Sequence, residues 1–308
     1  MRKIETRDTG RRWRLLAPAL VALAGLCWGA IGIFSRPLAA AGLSSLQLTL
    51  LRNLLAAAAL LVPMLLRPGR LRLRLRDLWL FLGTGICSIA LFNICYFACM
   101  RLSSLSVAVT LLYTSPCFVM ALSCLLFRER FTPGKAAALL LALVGCMCIT
   151  GVLGGGQRVG GAALVTGLLS GFGYALYSIF GKLALRRYHW LTVTFYTFFI
   201  AAAALLPFGR PAALLSSLGS GTLWLSALGL ALVSTVLPFL LYTLGLSHMD
   251  AGLAAVIACV EPAAATVAGV LLFYEPLTAM GLTGLALVAL SVAAAQWKPR
   301  DRKKGDAS

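Results

Sequence analysis

Charge is scarce in this chain, and negative charge scarcer still. Of 308 residues 12% are charged, and the Asp and Glu number 9 against 27 Lys and Arg. A soluble domain carries roughly 25% charged residues, so lipid is expected to cover much of this surface. Histidine occurs at two positions only, His189 and His248. No Gly-x-Ser-x-Gly, His-Glu-x-x-His or Walker pattern is present. These absences argue against hydrolytic chemistry, a catalytic metal and ATP drive within the chain, so neither an enzyme nor a resident cofactor is expected. The 9 cysteines all fall in apolar runs. The closest, Cys95 with Cys99 and Cys146 with Cys148, lack the further His or Cys of a zinc site and read as small buried hydrophobes.

Apolar residues are abundant: 60% of the chain, with a mean hydropathy of +0.93. Long apolar runs lie at 15–34, 46–66, 78–99, 105–127, 136–153, 161–181, 191–208, 222–244, 252–273 and 278–296. A membrane helix needs about 20 such residues, which predicts an all-α membrane protein of ten transmembrane helices. The first run follows Arg11, Arg12 and Arg14 like a signal peptide, but its length suits a span better. A net charge of +18 invites a nucleic-acid reading, which position rejects. The basic residues sit in short segments between the runs, as positive-inside loops do. With the N-terminus inside, Arg67 to Arg76, Arg128 to Lys135, Lys182 to Arg187 and Lys298 to Lys304 all fall on the cytoplasmic side. Outside lie only Arg36, Arg101, Arg158 and Arg210, and Arg52 falls within a span. That bias places both termini in the cytoplasm and favours an even number of helices.

The chain also aligns with itself at a shift of 146 residues. Leu125-Leu126-Phe127-Arg128-Glu129-Arg130-Phe131-Thr132 meets Leu271-Leu272-Phe273-Tyr274-Glu275-Pro276-Leu277-Thr278. Pro116 meets Pro262, Tyr96 meets Tyr242, and Gly25, Trp28, Phe34 and Arg36 meet Gly171, Tyr174, Phe180 and Lys182. One constant offset signals duplication, with halves at 15–153 and 161–297 flanked by basic tails at 1–14 and 298–308. The Gly-rich stretch Gly154–Gly161 links them. Five helices per half is an odd number, so the second half is expected to enter from the opposite side. That is an inverted repeat, a frequent plan among transporters with a midplane site.

The paired Leu-Leu-Phe-x-Glu-x-x-Thr segments, the stretch Ala254 to Pro262, the opening Leu26-Cys27-Trp28-Gly29-Ala30-Ile31-Gly32 and Leu51-Arg52-Asn53 carry a resemblance. Over nearly its whole length the chain resembles the EamA-domain transporters of the drug/metabolite transporter superfamily. That resemblance implies secondary transport of a small organic metabolite by alternating access, most often export of amino acids or related compounds. It leaves open uptake of an amine or quaternary ammonium solute such as choline. A receptor or scaffold without transport is the distant alternative.

Glu261 stands out among the residues themselves. It lies near the middle of its span, where an acidic side chain is costly unless protonated, paired or facing water. It is therefore a candidate for binding cationic substrate or for coupling to protons; a structural, paired glutamate is the plain alternative. Arg52 is the other ionised group at depth, expected to snorkel, to pair with an acid or to hold a substrate carboxylate. Trp28, Asn93, Tyr96, Tyr113, Ser115, Tyr174, Tyr177 and Tyr242 gather at similar depth. Tyrosine hydroxyls need partners in hydrocarbon, which favours a cavity, although each ring taken alone reads as packing. Pro116 and Pro262 each free a carbonyl one turn back and are candidate hinges or tolerated kinks. Gly25-x-x-x-Gly29 reads as a close-packing surface. The expected partners are a small metabolite, the lipid bilayer of a bacterial inner membrane, protons as coupling ion, and a second copy in a homodimer.

Overall fold

The computed structural model describes residues 2–152, 159–211, 214 and 217–296. The C-terminal tail at 298–308 and most of the Gly-rich link lie outside the described residues. Ten apolar helical elements carry the described fold: α1 (Arg12–Ala40), α2 (Ser45–Leu65), α3 (Leu75–Leu102), α4 (Leu105–Phe127), α5 (Pro133–Ile149), α6 (Gly161–Leu185), α7 (Trp190–Leu205), α8 (Gly221–Leu246), α9 (Ala251–Phe273) and α10 (Ala279–Ala295). Seven of them are long and apolar enough to cross a membrane; α5, α7 and α10 are shorter. At 1.5 Å per residue a helix the length of α5 reaches about 25 Å, under the ~30 Å hydrocarbon core. The sequence runs at α5 and α7 include flanking apolar residues that the helices leave out. Large apolar side chains such as Leu15, Leu66, Leu125, Leu225 and Leu271 are exposed, as a lipid-facing surface requires.

Short polar caps set the starts. Ser44 and Gln47 form a reciprocal box at α2, with Ser44 N donating to Gln47 Oε1 at 2.9 Å. Thr132 accepts from Lys135 N ahead of Pro133 at α5, and Ser104 accepts from Val107 N at α4. His189 Nδ1 accepts from Leu191 N at the start of α7. Partial burial and the nearby Arg70 and Arg67 charges lower its pKa, favouring the neutral ring that this cap needs.

Local geometry repeats at the 146-residue offset. α4 breaks after Leu112 and resumes at Ser115; α9 breaks after Ala258 and resumes at Val260. In both the break precedes a proline, Pro116 or Pro262, whose ring cannot sit over the preceding turn. α3 and α8 each widen into a π-helical segment, Gly83–Ala90 and Leu232–Val236. α4 and α9 end on left-handed residues, Arg128 at φ 56° and Tyr274 at φ 55°. The following N–H groups, of Glu129 and Glu275, donate back to Ser123 O and Gly269 O at 3.3 and 3.2 Å. α1 departs from the pattern, because it breaks at Ala30 where α6 runs through unbroken.

The halves are interlaced. α1 packs on α9, α6 on α4, α5 on α10, α7 on α2 and α3 on α6. Gly29 presses on α9, where a Cβ would stand 2.8 Å from Ala265 N and 2.9 Å from Glu261 O. Gly171 presses on α4, where a Cβ would stand 2.8 Å from Leu111 O. The carbonyls freed by the prolines, of Leu112 and Ala258, lie against Gly171 and Gly25. They are covered by neighbouring helices.

Several connections gather at one end. Arg187 pairs with Asp77, Tyr188 accepts from Arg74 N, Lys135 pairs with Asp250 at 2.8 Å, and Trp13 stacks on His248. The segments these contacts join are the ones that the sequence assigns to the cytoplasmic side.

Candidate functional site

A cavity of about 690 Å³ runs into the helix bundle from the end where Arg36 and Glu275 stand. Trp28 and Gly29 of α1, Arg52 of α2, Asn93 and Tyr96 of α3, Tyr113 of α4, Tyr174 of α6, and Glu261 and Pro262 of α9 all line it. The kinks explain part of this convergence. The breaks at Ala30 and at Cys259 turn the helices beside Trp28 and Glu261, and the break in α4 falls at Tyr113 and Thr114.

Three residues chosen from the sequence lie elsewhere. Ser115, Tyr177 and Tyr242 border a separate void of about 30 Å³ beneath the cavity, enough for one or two waters. Tyr177 shares a 2.6 Å hydrogen bond with Thr243, and Tyr242 one of 2.6 Å with Ser178. These hydroxyls found partners in packed protein, so the expectation of one common space fails for them. Trp28, Tyr174 and Phe239 line both spaces and form the floor between them. Trp28 and Tyr177 pack edge-on to Phe239, at centroid distances of 5.1 and 5.0 Å. Pro116 is buried and lines neither space.

The polar groups on the wall differ in how fully they are engaged. Asn93 is tied down: its Nδ2 donates to Ile89 O at 2.7 Å and its Oδ1 accepts from Thr49 Oγ1 at 3.3 Å. Tyr174 OH donates to Glu261 Oε2 at a long 3.4 Å. Arg52 is within electrostatic reach of Glu261, yet neither belongs to any of the ion pairs among the described residues. The Arg52 Nε is buried without a hydrogen-bond partner. An unpaired cation and an anion thus share one concave wall. Such a wall can hold a solute carrying both charges, each group replacing the water the solute gives up.

The two ends of the bundle carry ion pairs that are repeat mates. Lys182 donates to Glu129 Oε1 at 2.8 Å and to Met249 O at 2.7 Å, while Arg36 donates to Glu275. The first pair is enclosed and the second stands at the cavity mouth: the Glu129 side chain is 6% exposed and that of Glu275 47%. Sequence reasoning aligned these four residues without pairing them. The signal was present in the offset, which matches base with base and acid with acid. Thr49 and Phe239, also on the cavity wall, went unselected because their types are unremarkable in a membrane helix.

The cysteines are all free, and no cluster of metal-ligating side chains occurs among the described residues. Cys95, Cys99, Cys146, Cys148 and Cys259 are buried as expected, whereas Cys87 is exposed. Cys87 sits in an apolar helix, so its exposed thiol faces the lipid side of α3.

Comparison with known proteins agrees with this architecture. The EamA-like transporter family matches the chain twice, over residues 15–151 and 161–295. An "Uncharacterized transporter" of Archaeoglobus fulgidus is 30% identical over 278 residues, covering 89% of this chain and 94% of its own. A second transporter so described from that organism is 28% identical across 92% of this chain and 97% of its own. The "Uncharacterized transporter YetK" of Bacillus subtilis is 26% identical across 77% of this chain and 74% of its own. A crystal structure superposes with a TM-score of 0.74 at 21% identity, over 91% of this chain and 96% of its own. At that identity the likeness speaks for the fold alone. With both halves matched and a relative at 30% identity, the chain belongs to the EamA-like transporter family and is a multi-pass membrane protein.

Proposed function

We propose that this protein is a secondary active transporter of a small zwitterionic metabolite, an amino acid or a close relative, working by alternating access in a bacterial-type inner membrane. The observation that carries the proposal is the cavity of about 690 Å³ lined by Arg52 and Glu261, neither of which belongs to an ion pair among the described residues. Sites for small solutes run from about 300 to 1,000 Å³, and opposed charges on one wall suit a carboxylate and an ammonium on one solute. In this reading the ten helices all span as two inverted five-helix repeats, and the basic end holding Lys182 and Glu129 is cytoplasmic. The cavity then faces outside. Export is the direction that the family resemblance favours, with Glu261 as the group that exchanges protons.

A second reading, uptake of an amine or quaternary ammonium solute, draws on Glu261 lying among Trp28, Tyr96, Tyr113 and Tyr174. Aromatic faces stabilise such cations. Arg52 weighs against it, since a solute with net positive charge bound at Glu261 meets a like charge on the same wall. Counterflow in proteoliposomes against a panel of metabolites decides between them. Exchange of neutral amino acids is the expected result; exchange of choline or polyamines alone would overturn the zwitterion reading.

A further inference from the structure

Glu129 does more than pair with Lys182. Its Oε1 accepts from Ala251 N at 2.9 Å and its Oε2 from Gly252 N at 3.3 Å. The carboxylate therefore caps the first turn of α9 while Lys182 of α6 holds it from the other side. A carboxylate is well suited to that place, because the first N–H groups of a helix lack intrahelical acceptors and carry its positive dipole end. α4, α6, α8 and α9 are tied together here, since Lys182 also donates to Met249 O. The assembly leaves the Glu129 side chain and Ala251 buried, and none of its residues lines the cavity.

Every part of this clasp has a mate 146 residues away. Glu129 corresponds to Glu275, Lys182 to Arg36, and Ala251 and Gly252 to Leu105 and Ser106 at the start of α4. The acid in each case follows a left-handed residue and its N–H makes the same backward bond, so both carboxylates leave the backbone in the same way. The second clasp is nevertheless unmade. Glu275 meets Arg36, but no hydrogen bond joins it to Leu105 or Ser106 among the described residues. All four of these residues line the open cavity. The same parts are assembled at the closed end of the molecule and separated at the open end.

From this asymmetry we infer that Glu129 and Glu275 are reciprocal gate residues. In the state that opens the opposite end, Glu275 caps the N–H groups of Leu105 and Ser106 with Arg36 beside it, and Glu129 releases Ala251 and Gly252. The inference rests on the alternating-access reading and deepens it. It names the contacts exchanged when the cavity changes sides. Two capped helix starts of like chemistry allow the exchange with little net cost, because the bonds lost at one end are regained at the other. Such near-balance is what a bistable element needs if solute binding is to bias it.

The test measures which end is open. Ser106→Cys places a thiol at the cavity mouth, and its labelling by a membrane-impermeant maleimide is read in the full-length protein over the background of the native cysteines. Glu129→Gln weakens the closed clasp, so the population shifts toward the other state and labelling of Ser106→Cys is expected to slow several-fold. Glu275→Gln removes the competing clasp, so labelling is expected to hold or rise while counterflow slows. The double variant Glu129→Lys/Lys182→Glu adds a control that a simple ion pair would pass. It restores opposite charges but leaves Ala251 N and Gly252 N without an acceptor from residue 129, so labelling is expected to stay slow. Full recovery in the swapped variant would reduce the contact to an ion pair and overturn the capping gate. A lower melting temperature with unchanged labelling in Glu129→Gln would overturn it too, as a structural contact only. In either case, counterflow by the unaltered protein would leave alternating access standing. Absence of counterflow and one-sided labelling under all conditions would remove both.

Discussion

Glu261 and Arg52 are an acid and a base on the inner wall of the cavity, and the engagement of Glu261 differs from that of the other enclosed acids. Where Glu129, Asp77 and Asp250 each have a cation in contact, Glu261 is in no ion pair among the described residues and accepts a long bond from Tyr174. Glu261→Gln keeps the volume and the hydrogen-bonding reach but cannot ionise. Folding and insertion are expected to be normal, and concentrative transport to be lost. If the carboxylate only carries protons, solute exchange survives in counterflow. If it holds the solute's ammonium, exchange falls as well, because a charge in a low-dielectric cavity loses its counter-charge. Melting temperature and transport measured together separate both outcomes from a structural glutamate, which would lower stability and leave transport per folded molecule unchanged. Glu261 was legible in the sequence because a mid-span acid is rare. The faces presented by Tyr177 and Tyr242 were not, because depth along a helix says nothing of rotation about it. Their hydroxyls reach Thr243 and Ser178, polar partners ordinary enough in membrane helices to pass unnoticed.

At the scale of elements, the sequence revealed where helices begin and that they repeat, but not how they bend. The offset linking Pro116 to Pro262 carried the two breaks in α4 and α9, since proline acts locally. The break in α1 at Ala30 and the π-helical segments in α3 and α8 have no comparable local signature. They arise where neighbouring helices press, as at Gly83 against Phe180 and Gly85 against Ile200. Small residues at crossings are the counterpart of those bends, because membrane helices associate through close packing. One such crossing, tight against backbone, joins α5 to α10, where a Cβ on Gly284 would stand 2.7 Å from Gly145 O and 2.8 Å from Ile149 N. Backbone atoms cannot swing aside as a side-chain end can. Gly284→Val is therefore expected to destabilise the protein by about 1–3 kcal/mol, the usual cost of overpacking, and to lower its melting temperature in detergent. Gly281→Val, three residues earlier on α10, is the matched control. A Cβ there meets only the side chains of Thr278 and Leu277, at 3.2 and 3.4 Å. Equal melting temperatures for the two variants would show that the α5–α10 crossing is not where the packing is tight.

For the whole molecule the open question of physical arrangement is the sense in which the halves lie in the membrane. Family membership and the matched local geometry describe two similar units without fixing their orientation. Parity favours inversion. α4 and α9 are each followed by a left-handed residue, Arg128 and Tyr274, so the residues just beyond, Arg130 and Pro276, occupy equivalent places in the two halves. If each of the five helices in a half crosses the bilayer, the odd count sends the second half across in the opposite sense, and those equivalent places emerge on opposite sides. The contacts point the same way. The connection holding Arg130 shares its end of the bundle with Lys182, Met249 and Asp250, while Glu275, next to Pro276, stands with Arg36 at the cavity mouth. Three of the helices, α5, α7 and α10, are shorter than the others. If even one of them dips into the bilayer and returns, the parity changes. Arg130→Cys and Pro276→Cys, each labelled with an impermeant reagent in intact cells and then in inverted vesicles, measure this directly. Arg130→Cys is expected to react only in inverted vesicles, as the basic cytoplasmic end requires, and Pro276→Cys only in intact cells. Labelling of both from one side would show parallel repeats and an even number of crossings between the two positions, and would withdraw the inverted arrangement while leaving family and cavity in place.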